Sequence, residues 1–137
     1  MIRARNIDTP FTVTAYVPDP GGAGTSKTNH VVFKAPFTCE ITDIRVVPVS
    51  AWVAAAAAND GAVVAKRNNT GTALGTLAVV TNLAAASDNA LAATLNAGTK
   101  LLALGDLLTV DITANGTANA PDHQIIVKYK PQREAAQ

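Results

Sequence analysis

The sequence predicts an all-β fold: an antiparallel β-sandwich of the jelly-roll type with an extended N-terminal arm. Three observations carry this. There are about eight short apolar runs spaced roughly 8 to 15 residues apart, turn residues punctuate nearly every gap, and the best runs alternate with a period of two. At 137 residues the chain suffices for one domain with a core closed without disulfides or metals. The expected division is an arm with a Gly-rich linker over 1–28, a sandwich over 29–131 and a polar tail over 132–137.

Within the arm, Phe11, Val13, Ala15 and Val17 alternate with Thr12, Thr14 and Tyr16, which makes one strand. Pro18-Asp19-Pro20-Gly21-Gly22-Ala23-Gly24 ends it as a flexible linker. A lone strand before such a tether suits pairing within its own domain and addition to a neighbour's sheet edge equally well. In the body, His30 to Lys34 is a short strand, Ala35-Pro36 a bend, and Cys39 to Val49 a longer strand with Pro48 near its end. Trp52 to Ala58 reads as a strand or irregular edge: its alanines favour helix, yet it lacks an N-cap. Ala62 to Arg67 and Leu74 to Thr81 are strands around the turn Asn68-Asn69-Thr70-Gly71. Asn82 to Gly98 carries a helix signal, with Ser87 or Asp88 as cap and Gly98 as stop, but Leu91, Ala93 and Leu95 also fit a strand, which the all-strand surroundings favour.

The stretch from Lys100 to Pro131 is expected to form a β-hairpin. Leu108, Val110, Ile112 and Ala114 share one face, as do Ile125, Val127 and Tyr129 on the return strand, with Asn115-Gly116 and a short polar loop between them. Gly105-Asp106 breaks the apolar run, so Leu101 to Leu104 is a separate short strand.

Eleven Lys and Arg against ten Asp and Glu leave a formal net charge of +1, and only 15% of residues are charged. This argues against nucleic acid as the main partner. Aromatics make up 4%, while alanine fills about a fifth of the chain. Small side chains bury less area each, at roughly 25 cal/mol per Å², so help from a partner subunit is expected. Arg3 and Arg5 are not followed by an apolar stretch of signal-peptide type, and no window reaches the roughly 18 apolar residues of a membrane span. A soluble protein made in a cytoplasm, with no membrane partner, is the expectation.

No motif for catalysis emerges, and no cofactor or metal is expected. Cys39 is the only cysteine and reads as a small buried hydrophobe. His30 and His123 stand at strand starts without ligand spacing and read as surface histidines. Asp43, Asp60, Asp88, Asp106 and Asp111 form no calcium-loop pattern, and Gly71 to Gly75 lacks the Lys-Ser/Thr of a phosphate loop. Ser26 has no activating partner, and paired carboxylates of glycosidase type are not identifiable. The interaction candidates are Arg3, Arg5, Phe11, Val13 and Tyr16 on the arm, and Trp52, which serves equally as an interface anchor or a core residue.

Lys34-Ala35-Pro36-Phe37 leading into Ile41 to Val46, the alanine-rich segment ending near Asp60, Gly105-Asp106 and the strand ending in Tyr129-Lys130-Pro131 resemble jelly-roll decoration, or cement, proteins of tailed-bacteriophage heads. The resemblance spans about residues 29 to 131 and rests on loose motifs that fibre and spike domains share. It implies a non-catalytic virion protein on the capsid exterior, assembled as a homotrimer and bound to the major capsid protein, with an arm reaching a neighbouring subunit or the shell. The alternative is a carbohydrate- or receptor-binding jelly roll, with Trp52, Asn59 and Asp60 as its place of contact; the scarcity of aromatics counts against it.

Overall fold

The computed structural model describes residues 10–52, 60–79 and 82–132. Their regular elements are all strands: β1 Phe11–Val17, β2 Lys27–Lys34, β3 Cys39–Pro48, β4 Gly61–Arg67, β5 Thr70–Val79, β6 Asn89–Ala90, β7 Leu101–Leu102, β8 Leu107–Ala114 and β9 His123–Pro131. Every pairing is antiparallel. One sheet has the order β1-β9-β3-β6, with β7 also on β3; the other has β2-β8-β4-β5. The two form an antiparallel β-sandwich.

The pairing follows from one long ribbon folded at its tip. Asn68 and Asn69 both take positive φ, 52° and 55°, which suits a tight turn whose twist matches the strands, so β4 doubles back directly as β5. Moving away from that tip, β3 meets β6 and β7, β2 meets β8, and β1 meets β9. The ribbon then wraps on itself through β4·β8 and β3·β9, which closes the two sheets over one core.

This winding corrects the expected hairpin. Strands β8 and β9 belong to opposite sheets. Their inward faces are the ones the alternation picks out, since Leu108, Val110, Ile112, Ala114, Ile125, Val127 and Tyr129 are all buried. They line the core from opposite sheets instead of lying side by side. The connection over 115–122 is not a polar hairpin loop: Ala118 and Ala120 are buried and plug the end of the sandwich as the chain crosses it.

Other boundaries also shift. The body begins earlier than residue 29: β2 starts at Lys27, and β1 already belongs to the first sheet. The strand expected around Leu91 to Leu95 is confined to Asn89–Ala90, and Leu91 drops into the core. From there the chain crosses between the sheets: the Leu91 N–H donates to the Ile44 carbonyl, and the Asn96 N–H donates to that of Leu74 on β5. A Cβ on Gly75 would sit 2.9 Å from the Ala92 Cβ, so glycine is what lets this segment lie against β5. The Val53 to Ala58 part of the alanine-rich edge, Val80, Thr81 and the tail beyond Gln132 lie outside the described residues.

The core has an aromatic end and a polar end. At one, Phe33 of β2 meets Tyr129 of β9 with ring centroids 4.6 Å apart, and Phe11 and Phe37 approach the same Tyr129 ring at 5.4 and 6.0 Å. Contact between these rings ties one sheet to the other. At the other, Trp52 is fully buried and its ring meets His123 edge-on at 5.1 Å.

Candidate interaction edge

Strand β1 ends its sheet, and its sequence explains how it sits there. Phe11, Val13, Ala15 and Val17 point inward with burial that deepens along the strand, from 44% exposure at Phe11 to none at Val17. Thr12, Thr14 and Tyr16 point outward and are exposed. Seven residues pair with β9 in unbroken register, Phe11 with Tyr129 through Val17 with His123. The part of the expected arm that is described is thus an edge strand of its own sandwich, and the Gly-rich linker is tied down. Asp19 Oδ1 accepts the Gly21 N–H at 2.6 Å, and the Gly24 N–H donates to the Ala118 carbonyl at 2.8 Å. Gly24 comes so close to the Gly116 carbonyl that a Cβ would stand 2.6 Å from it.

Proteins usually blunt such an edge with charge, proline or a bulge. Phe11–Val17 has none of these. Its neighbour across the sandwich, β2, has two register shifts and a positive φ of 60° at Asn29, yet leaves Val31 48% exposed. The opposite side is covered where residues 91–96 lie over β5. Among the described residues, one side of the sandwich is thus covered and the other ends in β1 and β2.

The Val17 end of β1 is held by Asp122. One carboxylate oxygen accepts the Tyr16 hydroxyl, and the other accepts the Asp19 N–H at 2.5 Å. These bonds hold the Asp122 carboxyl below its usual range, with the tyrosine hydroxyl the largest cause. The same short contact with a carboxylate raises the Tyr16 hydroxyl. On β2, the His30 imidazole Nε2 lies 3.2 Å from the Tyr16 carbonyl.

The candidate residues divide accordingly. Phe11, Val13 and Tyr16 are brought together on β1, Phe11 and Tyr16 exposed and Val13 half-buried; Arg3 and Arg5 lie outside the described residues. Of the two readings of Trp52, the structure has the core one: it has no exposed surface, and its backbone pairs with Leu83. The place of contact named for the carbohydrate-binding alternative thereby lacks an exposed Trp52, and Asp60 accepts the Asn115 side-chain amide at 2.6 Å; Asn59 is outside the described residues. His123 is likewise not a surface histidine. It is completely buried, and desolvation lowers its pKa to about 4, against a smaller opposing pull from the Pro121 carbonyl and from Asp122 and Asp19. Among the described residues no hydrogen bond closes on either His123 ring nitrogen or on Trp52 Nε1. The sequence carried a signal for this: His123 is in phase with Ile125, Val127 and Tyr129.

A shallow cleft of about 240 Å³ opens where β3 bulges between Ile41 and Asp43. Its charges are paired internally. Glu40 takes Lys100 at 3.0 Å and Lys130 at 3.6 Å, which lowers its pKa, and Asp43 takes Arg45 at 2.9 Å. Among the described residues no cluster of three His, Cys, Asp or Glu could hold a metal ion, and no helix is long and apolar enough to cross a membrane.

No family model matches the chain, and no curated protein matches it. Among solved structures, likeness is at a low level. One similar structure is a chain from a study of Bacillus endospore appendages, described as forming a novel family of disulfide-linked pili: identity is 16%, the match covers 96% of this chain and 97% of that one, and the TM-score is 0.45. Another is from the infectious bursal disease virus Gx strain, with 12% identity over 93% of this chain and 38% of that one, and a TM-score of 0.30. Likeness at this level leaves the fold to rest on the strand pairing itself.

Proposed function

We propose that this chain is a non-catalytic structural protein that decorates the outside of a phage capsid, binding the major capsid protein and reinforcing the shell. The strand order supports the jelly-roll winding behind this reading, because both sheets arise from one ribbon rolled about its tip. The near-zero net charge suits a protein that must not trap the genome.

The observation that carries the proposal is the uncharged, unbulged β1 edge, which ends its sheet among the described residues. An extended strand of a neighbouring subunit, or of the shell, would add there through main-chain hydrogen bonds, and repetition by symmetry makes many weak contacts sufficient. A homotrimer is the assembly this reading expects.

The test is solution mass across a dilution series by light scattering, followed by binding to expanded shells. Dilution-resistant trimers and shell binding are expected of the wild type. Both should weaken when Thr14→Lys places a charge on the outward face of β1, or when residues 1–24 are removed. Full-strength binding by both variants would overturn the role of this edge.

A further inference from the structure

We infer that the Asp122-His123 step is an acid-sensitive latch on β1, holding the strand's Val17 end against β9 at neutral pH and releasing it on acidification. The inference concerns the regulation of the edge proposed above, and it is tested within a single chain.

The geometry couples the two side chains through one peptide unit. Asp122 faces out and clamps β1 through the Tyr16 hydroxyl and the Asp19 N–H. His123 faces in, at the last register position of both ladders that β9 makes, opposite Val17 of β1 and Pro48 of β3. Its ring rests on the Trp52 indole with no hydrogen-bond partner for either nitrogen among the described residues. A second proton would make the ring a cation in an apolar site, which is costly unless the ring reaches water. It reaches water only by moving residues 122 and 123, and that movement pulls the clamp away from Tyr16 and Asp19.

The surroundings offer the cation little relief. The Pro121 carbonyl favours it most, followed by Asp122 and Asp19, but together they are outweighed by desolvation, and Asp122 already serves two donors. Opposite His123, β1 presents Val17 and β3 presents Pro48, neither ionisable; Tyr16, next on β1, gives its hydroxyl to Asp122, and His30 of β2 lies on the Tyr16 carbonyl. With the ring accepting a proton near 6.5 when released and near 4 when seated, the opening constant rises about tenfold for each pH unit lost between those values, to a few hundredfold in all.

Amide hydrogen exchange on the full chain, corrected for the intrinsic pH dependence, reads this directly. The alternate β1 amides that bond to β9 should gain the extra pH dependence while those of the β4·β8 ladder do not. His123→Phe should abolish it, and Asp122→Asn should open β1 at every pH yet keep it. A β1 opening constant that does not rise below pH 6.5, or a His123→Phe protein with the wild-type dependence, overturns the latch. Should His123→Phe fail to fold, the wild-type contrast between β1 and β4 decides alone. Light scattering at pH 7 reports self-association separately, so loss of the latch and loss of the assembly reading are told apart.

Discussion

The contact between Phe33 and Tyr129 is the sharpest test of the winding, because it joins β2 of one sheet to β9 of the other. Both rings are nearly buried, with 6% and 8% exposed, and their centroids lie 4.6 Å apart at 46°. Truncating either to alanine should cost about 3–5 kcal/mol. Together that would consume most of the roughly 5–15 kcal/mol by which a domain is stable, so leucine is the better probe. In a double-mutant cycle of Phe33→Leu and Tyr129→Leu, read by guanidinium unfolding at unchanged denaturant slope, the coupling should be about 0.5–1.5 kcal/mol. The cycle Phe11→Leu with Tyr129→Leu should give less, because Phe11 is 44% exposed. If Phe33 and Tyr129 prove additive to within about 0.3–0.5 kcal/mol, the rings do not touch and the reasoning that places β2 and β9 face to face fails.

Two further outcomes follow from single positions. Gly61→Ala would put a Cβ 2.5 Å from the Thr113 carbonyl oxygen and 2.6 Å from the Trp52 ring, neither of which can yield easily, so a loss of about 1–3 kcal/mol is expected in denaturant unfolding; Gly98→Ala, which meets only the Asn96 side chain at 3.3 Å, should cost far less, and equal losses would refute the close packing. The Cys39 thiol, pushed up to about 11 by burial and by the Asp106 charge, should alkylate at pH 8 only as fast as the protein unfolds, and rapid labelling of the native protein would contradict its burial.

What the sequence made legible is which face of each strand is buried. Alternation identified the inward residues of β1, β8 and β9, and the two asparagines at the ribbon tip announced its turn. Which strand lies beside which was not legible from periodicity, since a strand facing another across a core and one paired with it along a sheet show the same pattern. The discriminating residues for β8 and β9 were in their connection: Ala118 and Ala120 are apolar, as a segment crossing a core must be, where a hairpin loop would be polar throughout. The Asn82 to Gly98 stretch misled for another reason. Its alanines satisfy helix and strand alike, and tertiary contacts with Ile44 and Leu74 fix it as a crossing segment.

The edge itself was half legible. Phe11, Val13 and Tyr16 fell on one strand as expected, but nothing in the spacing tied Tyr16 to Asp122, over a hundred residues away along the chain. Natural sequences tend to break their own local rules where function requires it. Trp52 and His123 break one here, since among the described residues no hydrogen bond closes on their buried side-chain nitrogens, and His123 stands opposite Val17 of β1. The Phe11 end has no such feature, and is anchored by stacking on Tyr129 at 5.4 Å. The two ends of β1 are therefore held by forces of different kinds, one titratable and one apolar. Acid should loosen the strand from Val17 toward Phe11, so among the alternate β1 amides that bond to β9, those nearest Val17 should lose protection before those nearest Phe11.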